Sequence, residues 1–184
     1  STMGVQRLDA VAVTHYHADH TSGLYELMER LEVGTVYLPD IEDEYGVRER
    51  LAALAQERGC RVIWVREQTD IPLGECSVTV YPPVGQGDLN EQGLSFLCST
   101  GDFDLLITGD MAASTEEALA QTYPLPDVEV LLVSHHGSKY SSSRVFLESI
   151  RPETAIISVG DNTYGHPTPA AMARLTAVGA ALYR

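Results

Sequence analysis

Lysine is almost missing from this 184-residue chain: Lys139 is the only one, and Lys and Arg together number 12 against 26 Asp and Glu, a formal net charge of −14. Nucleic-acid-binding modules gain affinity by pairing basic side chains with phosphates and releasing counterions. So acidic a composition argues against a tight, nonspecific grip on DNA by this domain alone. It does not exclude a phosphodiester substrate, because bound divalent cations invert the local field that carboxylates create.

Cysteine is scarce as well. Cys60, Cys76 and Cys98 are an odd number at wide spacing, which fits neither a disulfide framework nor a thiolate metal site. They read as small, buried side chains. No apolar run approaches the roughly 18 residues of a membrane-spanning helix. The first residues, STMGVQRLDAV, have neither the basic start nor the apolar middle of a signal peptide. The chain therefore reads as a soluble domain. No repeat, linker or compositional break divides it, and 44% hydrophobic residues suffice for one sizeable core, so residues 1–184 are expected to form one domain.

What is present is an alternation of short apolar runs and amphipathic stretches. Residues 9–14 (DAVAVT) suit a buried parallel-type strand. Leu24, Leu27, Met28 and Leu31 recur at helical spacing over 22–31. TVYLPD (35–40) reads as a strand, 44–58 as a second helix with Val47, Leu51, Leu54 and Ala55 on one face, and CRVIWV (60–65) as another strand. SVTVYPP, LSFLCS and FDLLITGD read as three strands separated by Gly, Asp and Asn turns. Ser114 and Glu117 suggest a capping box opening a helix to about Gln121. Strands at 128–134 and 153–160 flank a helix over 143–150, Thr168 and Pro169 open a helix over 169–178, and ALYR starts a last strand. The pattern predicts an α/β layered architecture of mixed sheets flanked by helices.

All six histidines fall into three patches, each just after a strand: His15, His17 and His20; His135 and His136; and His166. Strand ends are where loops from distant segments converge on a crevice. In THYHADH, three His and Asp19 lie within six residues, a donor set that suits zinc, iron or manganese, with the carboxylate admitting harder ions. Asp110, at the end of ITGD, offers two oxygens that can bridge two ions, although an Asp after Gly also serves as a turn residue. SHHGSKYSSS (134–143) carries the His pair, Ser138 and Lys139, a setting for an anionic group or for a helix cap with a surface lysine. His166, between Gly165 and Pro167, is either a site residue or a turn closed by a backbone hydrogen bond, and Asn162 and Tyr164 beside it are candidate substrate contacts. Asp9, Asp40, Asp43 and the acids of 42–57 read as ordinary solvated groups.

HxHxDH at 15–20, TGD at 108–110 and a later His after a strand resemble the metallo-β-lactamase superfamily. THYHADH, TGD, HHGSKYS and NTYGHP in that order, preceded by RLDAVAVT, more narrowly resemble the C-terminal domain of the ComEC-type competence DNA-internalisation proteins. The resemblance covers nearly the whole chain. It implies an αββα sandwich with a binuclear site of one or two divalent ions, manganese or zinc. His15 and His17 would hold the first, Asp19 and His20 the second, with Asp110 bridging and His166 as the late ligand. His135 would be a ligand or phosphate contact, and His136 would pack or support from behind. The chain has no histidine from 21 to 134, where many binuclear members supply a third ligand to the first metal, and Asn90 stands in that region. A weaker first site is the consequence.

The resemblance further implies phosphodiester hydrolysis, with Asp19, Asp110 and His135 as catalytic groups. Beside them Lys139 and Ser138 are candidate substrate contacts, and Asn162 and Tyr164 candidates to touch substrate or to support the residues that do. Single-stranded DNA would be that substrate, delivered by other domains of a parent protein in the bacterial cell membrane. Set against this are hydrolysis of a small ester, thioester or cyclic nucleotide at the same site, and a non-catalytic module of a DNA-transport protein. Relative to the superfamily pattern, N-terminal strands before RLDAVAVT and strand after ALYR are not in this sequence. A fragment with exposed strand edges is therefore expected, with homodimerisation through those edges as one outcome.

Overall fold

A computed structural model describes residues 4–184. The first run of strands and helices builds a three-stranded parallel sheet in the order β1-β2-β3, from β1 (Arg7–Ala12), β2 (Glu32–Pro39) and β3 (Arg61–Val65). The connecting helices α1 (Ala18–Arg30) and α2 (Val47–Glu57) cover one face of it. Side chains alternate along β2: Val36 and Leu38 pack toward the helices with Met28 and Leu51, while Tyr37 points the other way.

The second sheet has seven strands in the order β10-β9-β8-β7-β6-β5-β4. Its antiparallel half is β4 (Thr69–Leu73), β5 (Cys76–Tyr81), β6 (Ser95–Thr100) and β7 (Phe103–Ile107). Its parallel half continues from β7 through β8 (Val130–Leu132), β9 (Thr154–Ile156) and β10 (Ala181–Tyr183). Helices α3 (Ala113–Thr122), α4 (Arg144–Ile150) and α5 (Pro169–Ala177) pack on its outer face around Leu106, Leu119, Leu131, Phe146 and Leu175. Between the sheets, Tyr37 and Val65 of the first meet Val80 and Phe96 of the second. The layers thus run helix, sheet, sheet, helix, the αββα sandwich that the family resemblance implied. Among the described residues, no helix is long and apolar enough to cross a membrane.

Two local expectations give way to longer-range contacts. The Ser114–Glu117 capping box is not formed: α3 is capped at Ala112, whose N–H donates to the Glu91 carboxylate at 3.1 Å, and Ala113 N–H donates to Tyr140 O at 2.8 Å. Asp43 is not simply solvated. Its carboxylate accepts the Val47 and Arg48 amides at the opening of α2, and Asp40 pairs with Arg48 and Arg66. By contrast Thr168 and Ser143 cap α5 and α4 through Ala171 and Phe146 amides.

Candidate metal centre

The carboxyl ends of β1, β7 and β8 feed three loops that meet between the sheets. Val13 N–H continues β1 by bonding Tyr37 O, and Thr14 O accepts Leu94 N–H, so His15 leaves the strand into the interior. His15 is fully buried, and Asp19 and His20 follow in the first turn of α1. Thr108–Gly109–Asp110 ends β7. The loop after β8 turns tightly at Ser134–Gly137, with His135 and His136 both left-handed (φ 50° and 53°). That conformation costs an L-residue about 1 kcal/mol or more. Long-range contacts hold it. His135 N–H donates to Gly109 O at 3.0 Å, and Thr168 donates to Gly137 O from both its amide and its hydroxyl.

The result is a compact group in which the donor atoms of Asp19, His20, Asp110 and His136 all lie within 4.8 Å of one another. His136 Nε2 is 3.6 Å from Asp19 Oδ2 and from Asp110 Oδ2, and His20 Nε2 is 3.3 Å from Asp110 Oδ1. The His136 Nδ1 atom lies 2.7 Å from Ser158 O. A carbonyl can only accept, so Nδ1 carries a proton, and Nε2 is the ring nitrogen left to face the two carboxylates. His20 Nε2 is buried without an aligned hydrogen bond. Burial alone would lower the His20 pKa, but Asp110 and Asp19 raise it. The two carboxylates thus draw positive charge into this half-buried pocket, as a proton on the ring or as a cation among the four groups. Two imidazoles and two carboxylates suit a divalent ion of the zinc, manganese or iron type.

A second set adjoins the first. His15 Nε2 is 3.1 Å from His17 Nδ1, Thr14 Oγ1 lies between His15 Nδ1 and His20 Nδ1 at 3.1 and 3.2 Å, and the His15 and His20 rings are 4.1 Å apart. Burial, reinforced by His20, lowers the His15 pKa to about 4, so its lone pair is free at neutral pH. For Asp110, burial favours the neutral acid, but His20, His136 and His15 outweigh it and hold the carboxyl below its ordinary range. Asn90 Oδ1, in the loop whose Gly93 lies against His15, is buried without a partner.

The remaining expected residues fall into two groups. His166 is not among the four-residue cluster. Its ring stands 5.6 Å from that of His135, because Pro167 packs on Gly137 and the Asn162 side chain holds both the N–H and the C=O of His166. Asn162 thus shapes the loop, and Ser138 is 2% exposed, accepting Tyr140 N–H within its own turn. Tyr164 is 83% exposed, 6.1 Å from the His166 ring, and Lys139 lies over the Tyr140 ring at 4.8 Å. His136, which the sequence suggested as a supporting residue, is the fourth member of this cluster. Nothing in the doublet's spacing distinguishes His135 from His136, since their directions follow from φ values fixed by distant contacts.

Two stacked sheets between helices, with a His/Asp group at the strand ends, define a class of metal-centre proteins made up mostly of hydrolases. The family model of the metallo-beta-lactamase superfamily matches residues 3–161, and the chain belongs to that superfamily. It is similar to competence proteins: 29% identical over 167 residues to ComE operon protein 3 of Bacillus subtilis (strain 168), covering 89% of this chain and 22% of that protein. It is 32% identical over 185 residues to competence protein ComA of Neisseria gonorrhoeae, covering 98% of this chain and 24% of that one. The chain therefore spans less than a quarter of these relatives. Among solved structures, the diiron β-hydroxylase CmlA of Streptomyces venezuelae has the same fold, with a TM-score of 0.65, 18% identity, and coverage of 97% of this chain and 44% of that one.

Proposed function

We propose that this domain is a metal-dependent phosphodiesterase that cleaves single-stranded DNA within a larger competence DNA-uptake protein. The observation that carries the metal dependence is the convergence of Asp19, His20, Asp110 and His136, whose ligand atoms all lie within 4.8 Å of one another. The step to DNA rests on the similarity to competence proteins. In this reading those four residues would hold one ion and His15 and His17 would hold a second, with Asp110 next to both sets of histidines. When bound, divalent manganese or zinc supplies Lewis acidity toward the phosphoryl oxygens and acidifies water.

The chain's own residues divide the remaining work. Asp19, with a side chain 63% exposed, can take the proton of the attacking water and pass it to solvent, whereas Asp110 at 8% cannot. As the phosphorus–oxygen bond to the leaving sugar breaks, His135, whose ring centroid is 6.5 Å from that of His136, would give a proton to the leaving oxygen and recover it from solvent. The rings of His136, His135, His166 and Tyr164 form a row with centroid spacings of 6.5, 5.6 and 6.1 Å, running from the cluster to the surface. Such rings accept unpaired bases, and Lys139, the chain's one lysine, follows His136 by three residues in the same loop. The cleft beside His17 is walled by Glu42, Asp43, Glu44, Glu49 and Asp88, with Arg48 the one base among them. A polyanion is repelled there, so the strand leaves along the ring row.

That acidic wall also favours a second reading, hydrolysis of a compact substrate such as a cyclic nucleotide or small ester. One assay separates the two: hydrolysis of bis(p-nitrophenyl) phosphate, a cyclic nucleotide and end-labelled single-stranded DNA, with manganese or zinc, by the wild type and Asp110→Ala. We expect cleavage of the generic diester and of DNA, lost in Asp110→Ala. Equal rates for the two proteins would overturn the assignment. Turnover of the cyclic nucleotide alone would select the compact substrate.

A further inference from the structure

Glu116 is the one acid of α3 that is fully buried, 0% exposed, and no step above uses it. Its Oε1 accepts the Ser134 hydroxyl at 2.6 Å, and Ser134 Oγ in turn lies 2.5 Å from Thr108 Oγ1. Its Oε2 accepts Ser143 N–H at 3.1 Å, at the start of α4. A carboxylate cannot donate, so Ser134 must, and Thr108 must then donate to Ser134. Thr108 stands two residues before Asp110, and Ser134 two before His136. One buried carboxylate therefore sits behind both loops that carry the cluster.

We propose that Glu116 is a positioning residue for the metal centre: through Ser134 and Thr108 it locks the strand end bearing Asp110 to the turn bearing His136. This rests on the ligand set given above. A buried carboxylate costs several kcal/mol in lost hydration, and a residue of similar size without charge packs as well. The left-handed turn at His135 and His136 needs such an anchor, because nothing local favours it. Burial also pushes the Glu116 carboxyl up to about 7, against the amides of Ser142 and Ser143, the Ser134 hydroxyl and the Arg174 guanidinium, which stabilise its charge. Near neutral pH the hydrogen-bond chain can thus run in either direction, with a protonated Glu116 donating to Ser134.

The test uses zinc affinity, measured by titration calorimetry on the whole 184-residue chain at pH 8. The variants are Glu116→Leu, Glu116→Gln, Ser134→Ala and, as a control, Leu51→Ala, which empties a fully buried position in α2. Loss of groups that support metal ligands typically costs about 10-fold to 100-fold in affinity. We expect about a 10-fold loss for Glu116→Leu and Ser134→Ala, an intermediate loss for Glu116→Gln, which keeps the shape and one acceptor, and less than about 2-fold for Leu51→Ala despite a lower Tm. Should Glu116→Leu not fold, Glu116→Gln and Ser134→Ala carry the comparison. Affinities that follow Tm alone, with Leu51→Ala losing as much as the others, would overturn the proposal. If the wild type binds no zinc, the ligand set fails. The positioning claim is then read from amide exchange of His135, whose N–H bonds Gly109 O. Exchange must quicken in Ser134→Ala and Glu116→Gln but not in Leu51→Ala, and unchanged protection would refute it.

Discussion

Removing the charge of Glu116 should change how stability depends on pH, and the size of the effect follows from its burial. In the unfolded chain this carboxyl titrates near 4.5, and in the fold near 7, with burial as the cause. Between those values the native state binds more protons than the unfolded one, so stability falls as pH rises through the window. Each pKa unit is worth 1.36 kcal/mol, which makes the full loss about 3 kcal/mol. That is a large part of the 5–15 kcal/mol typical of a domain. The stabilising contribution is complete below about pH 4.5 and gone above about pH 7. Urea unfolding of the metal-free protein in chelator, at half-unit steps from pH 5 to 8, measures it against Glu116→Gln. Histidines titrate in both proteins and cancel in the difference. The free-energy gap between wild type and variant should move by roughly 2–3 kcal/mol across that range, against the wild type as pH rises, and level off near pH 8. A constant gap would show that Glu116 does not hold its proton in the fold.

Other expectations are simpler. Arg174 donates to the carbonyls of Ser142, Ser141 and Lys139 at 2.8, 2.7 and 3.0 Å, so Arg174→Ala should cost about 2 kcal/mol and speed amide exchange over 138–143. Gly137 has φ +78° and a Cβ there would lie 2.7 Å from Pro167 Cβ. Gly137→Ala should therefore lower stability by about 3 kcal/mol in urea unfolding, whereas exposed Gly23 in α1 meets nothing within 4 Å, and Gly23→Ala should add about 1 kcal/mol. If the ring row carries bases, Tyr164→Ala should raise KM for single-stranded DNA about 10-fold with kcat and the rate on bis(p-nitrophenyl) phosphate little changed. An equal loss on both substrates would remove Tyr164 from the DNA path.

Where structure follows local chemistry, it was legible. Thr168 before Pro169, and Ser143 before an amphipathic stretch, mark helix starts because the cap bonds form within three residues. The apolar runs ending at His15, Asp110 and His135 mark buried strands because each lies between two covered faces. Distant partners hide the rest. Strand β4 (TDIPL) has Asp70, Pro72 and Leu73 exposed and becomes a strand only by pairing with β5, where Thr79 donates to Asp70 at 2.7 Å. At the start of α3 the Ala112 amide is met by Glu91 and the Ala113 amide by the Tyr140 carbonyl, both from other loops, which makes the nearby Ser114–Glu117 pattern misleading. The exchange of His136 for His166 in the four-residue cluster has the same origin. Packing of Pro167 on Gly137, and the backbone angles it accompanies, are set by segments some thirty residues apart. Glu116 and Glu117 are indistinguishable as letters, and only the helix's orientation on the sheet selects one of them for burial.

The most direct measurement is zinc content per chain after equilibrium dialysis, determined by elemental analysis for the wild type, His136→Ala and His166→Ala. The account predicts that the wild type retains at least one ion, that His136→Ala loses it or binds at least 10-fold more weakly, and that His166→Ala retains it. A wild type without bound metal, or loss in His166→Ala with His136→Ala unaffected, would contradict the account.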